Sequence, residues 1–189
     1  MPASPLPAPR RILTATDAQG TGVILDDTTP FANPKEELKA FVGYVQPDAI
    51  GKPDQALKWA EYKPDRISHD DQISLRWVDL PPHNKGFQHY TNTFGKSCKK
   101  KIPIDYLIMT HGELELELPD GQKRTVKVGD AIIQAANVHS WNNNTDQWAS
   151  ECATLPSTRF VGVAVPSEAA KVDGKTLDQP PVNGFHAQF

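Results

Sequence analysis

Between Asp105 and Asn143 apolar and polar residues alternate with a period of two, the pattern of half-buried β-strands. Over 113–118, Leu114, Leu116 and Leu118 fall on one side and Glu113, Glu115 and Glu117 on the other. Pro119-Asp120-Gly121 supplies a hairpin turn, and the return run 123–128 sets Val126 and Val128 against Arg124 and Lys127. Gly129-Asp130 then turns the chain into the apolar run 131–133. Upstream, Asp105, Leu107 and Met109 alternate with the opposite parity, so the phase slips at His111-Gly112, where glycine accepts a bend closed to other residues.

Further strands are predicted on the same grounds. Ile73, Leu75 and Trp77 alternate with Ser74 and Arg76 in a run that stops at Pro81-Pro82, and strands over 12–15 and 22–25 flank a turn at 17–20. Asn33-Pro34-Lys35-Glu36 has helix-cap chemistry, which predicts a short helix from Pro34 to about Ala40. The runs 41–45 and 56–62 fit a strand or a helix equally well.

Composition narrows the class. The 189 residues suffice for one well-buried core and are few for two domains. Lys and Arg total 20 against 23 Asp and Glu, a net charge of −3 that recommends no nucleic-acid partner. No apolar run approaches the roughly eighteen residues of a membrane span, and the start of the chain lacks the apolar core of a signal peptide. Two cysteines imply no disulfide framework, so a cytoplasmic protein is expected. Proline marks the edges: residues 1–9 read as a flexible Pro-rich arm, 10–165 as the folded domain and 166–189 as a C-terminal surface tail.

Asp105, six residues and Gly112 form one recognisable layout, and Gly129 followed by His139 and, four positions on, Asn143 forms another. At these residues the chain resembles the cupin superfamily, small antiparallel β-barrels with a ligand or metal site inside. It departs from the usual motifs in carrying Asp105 for glutamate, Ala135 and Asn137 for a proline and a glycine, and one residue fewer before His139. The segments 10–14, 77–82 and 139–143 are similar to single-domain cupins of fungi and bacteria found near secondary-metabolism genes. The resemblance spans roughly residues 10 to 165 and implies an all-β, single-domain cupin (jelly-roll) barrel with short helices and an extended N-terminal arm. It also implies a homodimer in which the N-terminal strand joins the partner's sheet.

By the same resemblance His89 falls where the first metal-ligand histidine stands and Thr91 where the second would be, so that ligand is missing. His89, Asp105 and His139 then make a reduced set of two imidazoles and one carboxylate, able to hold one divalent ion (zinc, iron or nickel) or to act metal-free as acid and base. They also read as hydrogen-bonded barrel histidines without chemical consequence. Trp141 shares the face of His139, and Leu107, Met109, Ile133 and Phe160 are the expected apolar partners. Gln134 and Asn143 are candidate hydrogen-bonding groups for a small-molecule substrate, and Arg76 or Arg159, whichever points inward, would pair with a carboxylate. His111 lies roughly 20 Å along the strand from Asp105, at a barrel rim. Lys99-Lys100-Lys101 sits in an insertion after Asn92, a solvated loop tip, a lid or an anion-steering patch beside the pocket. The implied function is that of a lyase or isomerase (decarboxylase, dehydratase or cyclase) acting on an aromatic or polyketide-like molecule. An Fe(II)-dependent dioxygenase and a non-catalytic binding or scaffolding cupin are the alternatives.

Overall fold

The computed structural model describes residues 6–19, 21–32, 39–63, 72–90, 103–135, 137–146, 158–168, 171–172 and 175–176. Along the chain run β1 (Arg11–Thr16), β2 (Gly22–Thr28), β3 (Phe31–Ala32), β4 (Lys39–Gln46), α1 (Ala56–Glu61), β5 (Ile73–Leu80) and β6 (His89–Tyr90). There follow β7 (Ile104–His111), β8 (Glu113–Glu117), β9 (Lys123–Lys127), β10 (Ala131–Ala135), β11 (Val138–Asn142), β12 (Thr158–Val165), β13 (Lys171–Val172) and β14 (Lys175–Thr176). Two antiparallel sheets carry the barrel, one in the order β10-β7-β12-β5-β4-β3 and one in the order β6-β11-β8-β9. This is the all-β jelly-roll architecture, with one short helix beside it.

The phase slip at His111-Gly112 is the corner between the sheets. β7 ends in the six-stranded sheet, Gly112 takes φ 67°, and β8 begins in the four-stranded one. A left-handed backbone at 112 costs glycine little and any Cβ-bearing residue more, which explains the residue type. Parity then delivers Leu107 and Met109 from one sheet, and Leu114, Val126 and Trp141 from the other, into a core shared with Ala40, Val78, Leu80 and Phe160.

Two expectations are corrected, and one left open is decided. Of the helix expected over 34–40, residues 34–38 lie outside the described residues, and Lys39 and Ala40 begin β4, whose register against β5 buries Ala40 completely. The run 41–45 is strand, whereas 56–61 is helical and buries Ala56, Trp59 and Ala60. Ile133 does not line the interior: it is 66% exposed, because pairing of β10 with β7 turns Gln134, not Ile133, inward opposite Asp105. The Lys99–Lys101 insertion and Thr91 lie outside the described residues.

Two arginines tie the N-terminal segment down. Arg11 bonds Asp26 and the carbonyls of Gly43 and Ala60, fixing the β1-β2 hairpin to β4 and α1. Arg159, on the outer side of the large sheet, bonds Asp79 through Nε (2.5 Å) and Nη2 (2.8 Å) and reaches the carbonyl of Pro7 at 2.9 Å. In the tail, β13 and β14 pair as a small hairpin. Among the described residues no helix is long and apolar enough to cross a membrane.

Candidate functional site in the barrel interior

Register alignment across the large sheet stacks its inward side chains in rows. One row reads Gln134, Asp105, Ala164 and Ser74 across β10, β7, β12 and β5; the next reads Ile132, Leu107, Gly162 and Arg76; a third joins Met109, Phe160 and Val78. The interior is therefore polar at one end and apolar at the other. Leu107 and Met109, each 2% exposed, are packed into the core beneath the polar row.

The polar row is held by an ion pair. Arg76 donates from Nη2 to Oδ2 of Asp105 at 2.7 Å and from Nη1 to Oγ of Ser74 at 3.3 Å, with both charged side chains buried. Of the two arginines left open by the sequence, Arg76 is the one inside and Arg159 the one outside. Alternation alone would have turned the apolar Ile73, Leu75 and Trp77 inward; pairing of β5 with β12 instead buries the polar face of Ser74 and Arg76. Oδ1 of Asp105 and both amide atoms of Gln134 are buried without a hydrogen-bond partner among the described residues. Groups in that state are rare in folded proteins, and each calls for a partner.

The small sheet supplies the histidines. β11 pairs with β6 so that His139 and His89 are register partners, with ring centroids 4.6 Å apart. Nδ1 of His139 lies 3.1 Å from the carbonyl of Asn137, and Nδ1 of His89 lies 2.9 Å from that of Phe87. A carbonyl only accepts, so each Nδ1 carries the hydrogen and each ring presents its Nε2 lone pair. Burial drives the His139 pKa down to about 3, helped by the charges of His89 and Arg76. His89 is shifted down as well, by burial first and by Arg76 to a lesser degree, with the Phe87 carbonyl and Asp105 opposing. The pair therefore takes one proton at a time, and His89 takes it first.

An aromatic series continues from the histidines: His139 to Trp141 with centroids 6.4 Å apart, then Trp141 to Phe160 at 6.1 Å and 32° between planes. Asn143 is not part of the lining. Its Nδ2 donates to the carbonyl of Leu80 and its Oδ1 accepts from the Thr145 amide and hydroxyl, so both ends of the amide hold loops together. Asn142 does similar work, accepting from the Gly86 amide and donating to Glu117.

The fold family implies a metal, and the residues present do not fit one. Among the described residues no three His, Cys, Asp or Glu side chains come together to hold an ion. His89 and His139 face each other, but Asp105 is engaged by Arg76, whose full positive charge lies against the carboxylate that a cation would need. The set His89, Asp105 and His139 is thus a histidine pair and an ion pair, not a ligand triad.

No protein-family model matches the chain. The chain is similar to phomopsin biosynthesis cluster protein C' of Diaporthe leptostromiformis, at 26% identity over 91% of this chain and 86% of that protein. It is also 26% identical to the cupin-domain-containing oxidoreductase virC of Hypocrea virens, over 75% of this chain and 72% of that one. Among solved structures, the cupin domain of Schizosaccharomyces pombe Cnp3 aligns with a TM-score of 0.47 at 9% identity, covering 84% of this chain and 88% of that chain. With the acid-to-glycine and glycine-to-histidine spacings seated in a two-sheet antiparallel barrel, the chain has the cupin jelly-roll fold and is similar to cupin proteins of fungal secondary-metabolism clusters.

Proposed function

We propose that the chain is a lyase- or isomerase-type enzyme that moves a proton on a small aromatic or polyketide-like molecule. The observation that carries this reading is the His89–His139 pair, two imidazoles 4.6 Å apart with each Nδ1–H anchored to a backbone carbonyl. With a pKa of about 3, His139 is a hydrogen-bond acceptor that stays neutral, and it orients a substrate hydroxyl or enol. His89 is the proton carrier: its Nε2 takes the proton from a carbon next to a carbonyl. It returns that proton either to another carbon, completing an isomerisation or cyclisation, or to a departing hydroxyl, completing a dehydration. Asp105 does not orient His139; it holds Arg76. Trp141 and Phe160 form the flat wall against which a planar ring stacks.

The test is solvent exchange. Enolisable aromatic β-keto acids and β-diketones are incubated with the protein in D₂O and followed by proton NMR. Enzyme-dependent deuterium uptake is expected, lost at least about a hundredfold in His89→Ala with melting temperature retained. Uptake equal to buffer alone, or undiminished in the variant, contradicts the proposal.

The name oxidoreductase borne by virC supports a second reading, oxidation of the same kind of molecule in the same barrel. Running the assay in air and under argon separates the two, since proton transfer is indifferent to oxygen. A homodimer is proposed with the same site. The outer face of the large sheet sets Tyr106, Ile108 and Ile133 side by side at 45, 51 and 66% exposure, an apolar face suited to a second copy. Light scattering on Ile108→Glu tests it, with a shift to monomer expected.

A further inference from the structure

We propose that Arg76 takes the place that a metal ion fills elsewhere in the fold, and that with Gln134 it binds an oxyanion bearing a neighbouring hydroxyl, such as a 2-hydroxyaryl carboxylate or an enolised β-dicarbonyl. The proposal deepens the proton-transfer reading of this site and rests on it for the class of molecule.

Arg76 is 5% exposed, yet its Nε and the second hydrogens of both Nη atoms make no hydrogen bond to the described residues. Its position is built. Asp105 and Ser74 hold two corners of the fork, and Gly162, its register partner on β12, leaves open the space beside Nε. A buried guanidinium with unused donors is a planar fork matched to two oxygens of one anion, a geometry an ammonium does not offer. Gln134, 2% exposed and one strand beyond Asp105, adds an unpartnered Nε2 donor.

The spare acceptors define the rest of the ligand. Oδ1 of Asp105 and Oε1 of Gln134 are buried and unpartnered, so they favour a hydroxyl hydrogen next to the anionic oxygen. A simple carboxylate meets only the donors; a hydroxy acid or an enol meets both. In this barrel the fixed positive charge that would stabilise a developing enolate is organic, and its counter-charge is the carboxylate that a metal would require.

The experiment is calorimetry with 2-hydroxybenzoate, benzoate and Co²⁺ as separate probes on the wild-type chain, R76M and R76K. Wild type is expected to bind 2-hydroxybenzoate at least about tenfold tighter than benzoate and to take up no stoichiometric Co²⁺. R76M is expected to lose at least about tenfold in 2-hydroxybenzoate affinity and to gain one Co²⁺ per chain, since Asp105 is released to join the two histidines. R76K keeps the charge without the fork and is expected to bind the anion more weakly than wild type, with no gain of metal. If R76M fails to fold, R76K and the wild-type comparison of the two anions still decide. Stoichiometric Co²⁺ in the wild type, or unchanged 2-hydroxybenzoate affinity in either variant, overturns the proposal. These binding readouts need no turnover, so absent deuterium exchange with intact Arg76-dependent binding defeats proton transfer and leaves the anion site standing.

Discussion

Arg76 on β5 and Gly162 on β12 are register partners, and a Cβ at 162 would stand 3.5 Å from Nε of Arg76 and 2.8 Å from Cδ2 of Leu107. A Cβ there would crowd Leu107 but only touch the guanidinium at ordinary contact distance, so a larger side chain is needed to reach Arg76. Gly162→Val is expected to push both side chains out of place, at about 1–3 kcal/mol of stability and with weaker 2-hydroxybenzoate binding. Chemical denaturation and calorimetry on the same variant measure the two effects.

Removing Asp105 alone leaves the Arg76 charge buried without its partner. Asp105→Ala is expected to cost about 3–5 kcal/mol, whereas the double change R76M with Asp105→Leu, which replaces the ion pair by apolar groups, is expected to cost far less. Urea unfolding of the two variants checks the order. Equal losses would mean that the pair is not coupled.

Both barrel histidines make stability fall in acid. Folded His139 takes its proton only near pH 3, while an unfolded histidine takes it near 6.5, so between these values the unfolded chain binds more protons. The contribution is fully present above pH 6.5 and is lost as pH falls toward 3, at a slope approaching about 1.4 kcal/mol per pH unit from His139 alone. His89 is shifted the same way and adds to the slope. Asp26, Asp27 and Glu115 are also held below their usual range by ion pairs, but their effect is confined below about pH 4. Melting temperatures of wild type and His139→Gln between about pH 7 and pH 4.5 are expected to diverge, with the variant the flatter.

Much of the barrel was legible because alternation is a local signal. The parity of Leu114, Leu116 and Trp141 names their inward faces, and the slip at Gly112 marks the corner at which the chain changes sheets. Ile133 failed because one residue of register decides which side of β10 is inside, and only its pairing with β7 sets that. The site was legible as a list and not as a set of contacts. His89, Asp105 and His139 all belong to the barrel, but Arg76, 29 positions before Asp105, is brought to it by pairing through β12. No spacing rule encodes that contact. Asn143 looked like a ligand-facing amide by position; its engagement by Leu80 and Thr145 depends on a loop crossing 63 residues of sequence.

The loop before β6 is packed against β11 as closely as backbone allows. A Cβ on Gly86 would collide with the Trp141 carbonyl and lie 2.9 Å from its nitrogen, both main-chain atoms that cannot rotate away. Gly86→Ala is expected to destabilise by about 3 kcal/mol or more and to move Trp141. Asn143→Ala is expected to cost about 1–3 kcal/mol while leaving 2-hydroxybenzoate affinity unchanged in the folded fraction, because its amide serves loops. Loss of that affinity in a folded Asn143→Ala protein would return the residue to the lining.

The protonation state of His139 is the point on which the account turns. Nitrogen-15 NMR of the histidine rings, titrated from about pH 8 to about pH 4, reports the tautomer and the charge of each ring directly. The predicted spectrum shows His139 neutral throughout, with its hydrogen on Nδ1, and His89 the first of the pair to take a proton. A His139 that titrates near 6.5, or that carries its hydrogen on Nε2, would contradict the paired-imidazole site.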